Sequence, residues 1–236
     1  MEINMDFKGK NVIVTGASGG IGCALCKKLS ENGAFIAAAS HTEDGAKAIA
    51  SELGENCFSM SVDVTKEAEV IKFYKAAAEK QKKFDYLVNL AGLSMPCKYD
   101  EAEESLYDTV MDVNVKGSFL MSKHFAGYAN DPAMIINTGS MAARNTNANA
   151  PVYCMAKGAV NKLSEGLFLQ YAKRGIRVTT VNPGGVDTPF WGDRPVDRTA
   201  LMTAENVSDI IYFLMTTPSH VQIHSIDFEC TAKFKK

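Results

Sequence analysis

The chain has 236 residues, 46% of them hydrophobic and 22% charged, with a formal net charge of −2. This is ordinary globular composition, enough for one sizeable α/β domain and too little for two, and it excludes a disordered chain. The near-neutral charge gives no reason to expect a nucleic-acid partner. No apolar run is long enough to span a bilayer, and the opening MEINMDFKGKN lacks the apolar core of a signal peptide, so no membrane association and a cytoplasmic location are expected.

Strand-like and helical stretches alternate along the chain. NVIVTG (residues 11–16) is a β-branched run ending in glycine, followed by a helix through ALCKKLSENG. FIAAAS (35–40) reads as a second buried strand, followed by a helix around GAKAIASELG. CFSMSVDV gives a third strand, EAEVIKFYKAAAEKQKK a long amphipathic helix, and FDYLVNLAG (84–92) a fourth strand. One long helix is expected over residues 104–128, then a strand at AMIINTGS, a helix from about 151, a strand at IRVTTVNPGG, a helix near 204–217 and a last strand at HSIDFEC. Repeated β–α alternation with near-continuous apolar strands predicts an α/β fold. Its parallel sheet would have about seven strands, with helices on both faces. No repeat, low-complexity tract or linker interrupts the pattern, so residues 1–236 read as a single domain.

Six cysteines are scattered through apolar or helical contexts. Cys23 and Cys26 form a C-x-x-C on an amphipathic helix with no second ligand pair nearby; this reads as packing, and no metal is expected. The one basic cluster, Lys233, Lys235 and Lys236, reads as a solvated end.

TGASGGIG (residues 15–22) stands between the first strand and a helix. There the glycines Gly16, Gly20 and Gly22 permit a tight turn and let backbone N–H groups approach a pyrophosphate. They also aim a helix N-terminus at its charge, so dinucleotide binding is expected. Further on, PVYCMAK (151–157) begins a helix and places Tyr153 and Lys157 one turn apart on one face. An ammonium beside a phenol favours the phenolate, so the pair is either an acid–base device or an ordinary helix surface. Spacing alone does not decide between them.

Other motifs stand in order along the chain. NLAG occupies residues 89–92, Asn114 lies in VNVKG, Ser140 ends INTGS thirteen residues before Tyr153, and NPGGVDTP covers 182–189. Together with the Thr-Gly-x-x-x-Gly-x-Gly loop, these motifs make the chain resemble the short-chain dehydrogenase/reductase family over essentially its full length. Leu90 replaces the second asparagine of that family's Asn-Asn-Ala-Gly.

The resemblance implies a Rossmann-type, doubly wound sheet and a catalytic tetrad. Tyr153 would exchange a proton with the substrate oxygen as hydride moves to or from a nicotinamide. Lys157 would lower the tyrosine pKa and hydrogen-bond the nicotinamide ribose. Ser140 would hydrogen-bond the substrate oxygen, and Asn114 would hold a water linking Lys157 to solvent. Cofactor contacts are implied from Gly16, Ser18, Gly20, Ile21 and Gly22 in the first loop and from Ser40, His41 and Thr42 after the second strand. Asp63 and Val64 follow the third strand, and Asn89, Ala91 and Gly92 close the fourth. Tyr153 and Lys157 contribute from their helix, and Pro183, Gly184, Val186 and Thr188 lie beside the nicotinamide. In the family, two long helices pack against their copies, so a homodimer or homotetramer is expected. Here those helices carry Val110, Val113, Phe119, Met121, Phe125, Leu163, Leu167, Phe168 and Tyr171, more apolar positions than one buried face needs.

An NAD-preferring site puts an acidic side chain at the end of the second strand, where it accepts from the ribose 2′-hydroxyl and repels a 2′-phosphate. That position is Ser40, and Glu43 and Asp44 lie beyond it. Ser40 and Thr42 can donate to a phosphate, and His41 stands where NADP-preferring relatives often carry arginine, so NADP(H) is favoured over NAD(H). The substrate mouth is expected to include RNTNANA (144–150). Its Arg144 either meets a substrate carboxylate or phosphate, or is a solvated loop arginine. A short lid at about 189–203 supplies Phe190 and Trp191 as an apolar wall or as anchors. The tail lacks the Thr-Gly and Asp-Gly-Gly pattern usual in 3-oxoacyl reductases of fatty-acid elongation.

The function expected is an NADP(H)-dependent oxidoreductase acting on a ketone/secondary-alcohol pair, with a 3-oxoacyl or small hydroxy-acid substrate among the options. Alternatives are an NAD(H)-dependent sugar, polyol or steroid dehydrogenase and a catalytically silent cofactor-binding regulator. Epimerases and dehydratases on this fold need a longer chain with a distinct substrate domain.

Overall fold

The computed structural model describes residues 6–234. The first five residues and Lys235 and Lys236, which entered the reading of the amino terminus and of the basic tail, lie outside the described residues. Seven parallel strands form one sheet: β1 (Asn11–Thr15), β2 (Phe35–Ser40), β3 (Cys57–Ser61), β4 (Phe84–Asn89), β5 (Ala129–Thr138), β6 (Ile176–Pro183) and β7 (Ser225–Phe228). Their order is β3-β2-β1-β4-β5-β6-β7. The connecting helices are α1 (Gly20–Glu31), α2 (Glu43–Leu53), α3 (Glu67–Lys80), α4 (Glu104–Met111), α5 (Gly117–Tyr128), α6 (Pro151–Tyr171) and α7 (Ala204–Thr216).

Alternation along the strands builds two cores. Val12, Val14, Ile36, Val88, Ile136 and Val181 pack with Leu25, Leu29, Ile211 and Leu214 of α1 and α7 on one face. Ile13, Leu87, Ile135 and Val178 pack with Phe73, Met121, Phe125 and Leu167 of α3, α5 and α6 on the other. Each such fully buried side chain contributes about 1.5–3 kcal/mol of transfer free energy, an upper bound against an extended chain. All eight residues of β6 are buried, as expected of a strand covered on both sides.

Two features of this frame position the site. Strand order reverses direction between β1 and β4, so the loops leaving their carboxyl ends diverge and open a crevice. Beneath it, a buried amide network joins the elements: Asn89 Nδ2 donates to Asn137 Oδ1 at 2.8 Å and to Ser122 Oγ at 3.2 Å, and Asn137 Nδ2 donates to Ser164 Oγ at 2.9 Å. In a low-dielectric core these bonds fix β4, β5, α5 and α6 relative to one another, although Asn89 Oδ1 is left without a partner.

Residues 104–128 do not form one uniform helix. α4 and α5 are joined by a π-helical turn, Asp112–Lys116. The wide turn brings Asn114 inside, fully buried, with its Nδ2 donating to the carbonyls of Val110 and Leu93, both at 2.8 Å. The hydrophobic pattern does not reveal the extra residue. Val110, Met121 and Phe125 consequently belong to the core, while Phe119 remains exposed.

Candidate functional site

The crevice is a cavity of about 1160 Å³ running from the β1–α1 loop past β4 and β5 to the segment after β6 and the chain's last turn. At one end lies the N-terminus of α1. Gly19 is its cap residue, no side chain caps it, and no acidic residue occupies its first turn. By contrast, threonine side chains cap both α2 and α7. The leading N–H groups of α1 therefore keep their donor capacity for an anion. The loop before it is packed to its limit. Gly16 has φ +65°, and a β-carbon there would stand 2.9 Å from Ala91 N. One on Gly20 would stand 2.6 Å from Thr188 Cγ2, and one on Gly22 2.2 Å from Gly16 O. These residues make a cradle that only backbone can line, and it fits a dinucleotide's pyrophosphate.

The far wall carries the expected catalytic groups. Ser140 follows β5, Tyr153 and Lys157 project from α6, and all three line the cavity. Lys157 is 4% exposed, and its Nζ donates to Thr138 O at 2.8 Å and lies 5.6 Å from the centroid of the Tyr153 ring. Burial lowers the Lys157 pKa to about 8. Burial also pushes Tyr153 up to about 12, with the nearby Ser140 hydroxyl and the charge of Arg194 acting in the opposite sense. The expectation that Lys157 holds the phenol low is thus not met here: desolvation governs both groups and moves them in opposite directions. Ser140 Oγ accepts from Ala142 N at 3.1 Å, which uses a lone pair and leaves its proton free to donate.

Asn114 stands behind this wall. Its Oδ1 is buried without a partner, as are Thr138 Oγ1 and Ser40 Oγ. A β-carbon on Gly92 would meet Asn114 Oδ1 at 2.8 Å and Lys157 Nζ at 3.3 Å. The amide oxygen and the ammonium therefore converge on the same glycine.

Most of the implied cofactor residues line the cavity: Gly16, Ser18, Gly20, Ile21 and Gly22, then Ser40, His41, Asp63 and Val64, then Ala91 and Gly92, and finally Pro183, Gly184, Val186 and Thr188. Burial disfavours a charge on Asp63, but two hydrogen bonds from Thr65 and the nearby Lys66 and His41 hold its carboxyl below the usual range. Three of the expected residues are placed otherwise. Asn89 is buried in the amide network at the carboxyl end of β4, the central strand. Thr42 Oγ1 accepts from Gly45 N at 3.1 Å as the α2 cap. Arg144 turns away from the cavity to pair with Asp227, Nε to Oδ2 at 3.0 Å, and to reach Ser225. Neither Asn89, Thr42 nor Arg144 lines the cavity.

The mouth holds the expected polar loop and lid aromatics, together with one charged group that the sequence reading did not single out. Asn145, Asn147 and Asn149 line it from the polar loop, and Phe190 and Trp191 from the segment after β6. Arg194 joins them, its guanidinium 5.4 Å and 5.0 Å from the Phe190 and Trp191 ring centroids. A local signal existed: in FWGDR, Gly192 takes φ +53° and turns the chain so that the arginine folds back on the two rings. The tail also closes the mouth. Lys233 lines the cavity and pairs with Glu229 at 2.6 Å, so its expected solvated role is only half the picture. Among the described residues no cluster of three or more His, Cys, Asp or Glu could hold a metal, and no helix is long and apolar enough to cross a membrane.

Comparison with known proteins agrees with this geometry. The family model described as short chain dehydrogenase matches residues 10–198. An uncharacterized oxidoreductase of Staphylococcus epidermidis is 32% identical over 221 residues, covering 93% of this chain and 96% of that protein. One from Staphylococcus aureus is 30% identical over 226 residues, covering 92% and 95%. Among solved structures, a short-chain dehydrogenase/reductase from Serratia marcescens superposes with a TM-score of 0.86 at 29% identity, covering 94% of this chain and 98% of that one. A 3-ketoacyl-(acyl-carrier-protein) reductase from Brucella melitensis complexed with NADH gives 0.85 at 26% identity, covering 94% and 97%.

Proposed function

Because the chain belongs to the short-chain dehydrogenase family, and so is an oxidoreductase of that type, we propose that it transfers hydride between NADP(H) and a small ketone/secondary-alcohol pair. The observation that carries this reading is one cavity with an uncapped helix N-terminus at one end and Ser140, Tyr153 and Lys157 on its far wall. In this reading residues 1–236 serve as one nucleotide-binding catalytic domain, with residues 189–203 as its lid, working in the cytoplasm.

When bound in this cavity, a reduced nicotinamide would supply the hydride. Tyr153 gives its phenolic proton to the carbonyl oxygen, which becomes the hydroxyl of the product. A phenol pushed up to about 12 keeps that proton at neutral pH until the carbonyl oxygen takes it. Ser140 donates its O–H to the same oxygen and stabilises the negative charge that develops there. Lys157, lowered to about 8, readily returns a proton to the phenolate. The unpartnered Asn114 Oδ1 supplies the acceptor for a water that reconnects Lys157 to solvent.

Ser40 at the end of β2, with no carboxylate in its place, supports NADP(H) over NAD(H). Self-association as a dimer or tetramer is supported by a shallow depression on the α4–α5 and α6 surface, lined by Met111, Val115, Phe119 and Leu163 and by the paired Asp112 and Lys116. Light scattering that returns a monomer mass at micromolar protein would contradict it.

The function is tested by following oxidation of NADPH at its absorbance band against a panel of ketones. Turnover is expected in the wild type, with a loss of roughly 10²–10⁴-fold in Tyr153→Phe at unchanged cofactor affinity. Turnover near the wild-type rate in that variant would remove the mechanism.

A further inference from the structure

Arg194 is built into the mouth. Trp191 Nε1 donates to Val186 O at 2.7 Å, which anchors the aromatic turn. Arg194 Nε donates to Trp191 O at 2.7 Å and its Nη2 donates to Phe190 O, while its guanidinium packs against both rings. Phe190 in turn lies 6.0 Å from the Tyr153 ring, centroid to centroid. A fixed, half-buried cation thus sits one aromatic ring away from the proton donor.

The charge is not neutralised locally. No carboxylate lies within ion-pair distance of Arg194 among the described residues, and its Nη1 makes no hydrogen bond there. Of the other charged groups lining this half of the cavity, Glu229 is matched by Lys233, and Asp197 Oδ1 accepts from the backbone N–H and hydroxyl of Thr199 at 3.1 Å and 2.6 Å. Aromatic faces hold a guanidinium in place but compensate it only weakly. A planar fork with free donors, immobilised before the ligand arrives, suits a carboxylate.

We propose that Arg194 anchors an anionic group of the substrate, and that the carbonyl compound taken by this site is a short oxo acid. This rests on the carbonyl-reductase reading above and narrows it. A short chain is required because only the Phe190 ring separates the guanidinium from the phenol. The charge of Arg194 already reaches Tyr153, where it opposes the effect of burial. A bound carboxylate cancels that influence and holds the proton more firmly until the carbonyl oxygen accepts it.

The test uses pyruvate, acetoacetate and levulinate, each beside its methyl ester, so that shape is nearly constant and charge is not. Two readouts are available. One is kcat/KM with NADPH. The other is equilibrium binding with oxidised NADP present, followed by the emission of Trp191, the only tryptophan of the chain and a direct neighbour of Arg194. At least one acid is expected to exceed its ester by roughly ten-fold or more in both readouts, the size of one charge-assisted contact. Arg194→Gln should remove that preference through KM, with the loss on the acid at least roughly ten-fold larger than on the ester, and Arg194→Lys should restore part of it. Equal use of acid and ester, or an acid preference that survives Arg194→Gln, overturns the anchor while leaving the carbonyl-reductase reading standing. The same holds if none of the three acids gives a saturable response. Saturable binding of an acid without any oxidation of NADPH keeps the anchor and overturns the reductase reading.

Discussion

Arg144 and Asp227 clasp the loop after β5 to β7, with Nε donating to Oδ2 at 3.0 Å and Nη2 to Oδ1 at 3.4 Å. The same Asp227 Oδ1 accepts from Asn182 Nδ2 at 2.7 Å, and Asn182 Oδ1 accepts from Ser140 N at 3.1 Å. Asp227 is therefore two hydrogen bonds from the backbone of the serine proposed to touch substrate. The pair itself is half exposed, so its direct worth to stability is about 0–1 kcal/mol.

Arg144→Ala should accordingly leave the KM for any oxo acid within roughly two-fold of wild type, in contrast to Arg194→Gln, because only the second removes a fixed charge from the mouth. Asp227→Ala should lower kcat more than Arg144→Ala does, since it leaves Asn182 held by Asn161 alone and so loosens Ser140. Steady-state kinetics on the two variants separates the roles. A rise in KM confined to anionic substrates in Arg144→Ala would restore that arginine to the substrate site.

Gly92→Ala tests the meeting of Asn114 and Lys157. Gly92 is not in the left-handed region, so space alone decides the outcome. The added methyl carbon would stand 2.8 Å from Asn114 Oδ1 and 3.3 Å from Lys157 Nζ. Because the ammonium is held to Thr138 O and the amide to two carbonyls, neither yields cheaply. Turnover should fall by roughly ten-fold or more, with the melting temperature lowered by only a few degrees. Unaltered turnover would show that the two groups do not act together.

Lys157 also makes stability depend on pH. Its proton affinity in the fold, about 8, is below its ordinary value of 10.5. Between those values the unfolded chain binds more protons, so stability rises with pH through this window and is lost as pH falls through about 8. Between pH 7.5 and 9 the gain is on the order of 1 kcal/mol. From about pH 8 upward the thiols of Cys23, Cys26 and Cys57, raised by burial from 9.0, work the other way and offset much of this gain. Denaturant melts of the wild type and Lys157→Met across pH 7.5–9 isolate the lysine, because the thiols act alike in both, and the wild type should gain about 1 kcal/mol relative to the variant. Parallel curves would mean that Lys157 is not desolvated in the fold.

Cofactor choice is tested at Ser40, whose buried hydroxyl has no partner. Wild-type kcat/KM should favour NADPH. Ser40→Asp should shift the ratio towards NADH by roughly ten-fold or more, through repulsion of the 2′-phosphate. A wild-type preference for NADH would overturn the assignment.

Periodicity and turn chemistry made the seven strands legible, because a parallel sheet buried on both faces needs uninterrupted apolar runs and its loops need glycine. Tyr153, Lys157 and Ser140 were legible because ordered motifs at matching intervals make the chain resemble its family; the spacing of the Tyr–Lys pair did not decide its role by itself. Asn89, Thr42 and Arg144 were not, since each sits beside the cavity in sequence but spends its polar atoms elsewhere: in the core network, as the α2 cap, or on β7. Those partners are far away in sequence or are backbone atoms, and no motif records them. Arg194 escaped for the converse reason, because its importance comes from aromatic stacking produced by one glycine turn.

The π-helical turn Asp112–Lys116 sets an angular phase. An α-helix advances about 100° per residue, so one residue added to a turn rotates everything downstream by that amount. α4 and α5 therefore keep different clocks, and the register of α5 against the sheet is meaningful only when counted from Lys116. Removing one residue from the turn would swing buried Met121 and Phe125 off the core while drawing Asn114 away from Gly92. The packing of one helix and the aim of one amide are thus fixed by a single integer, the number of residues in that turn.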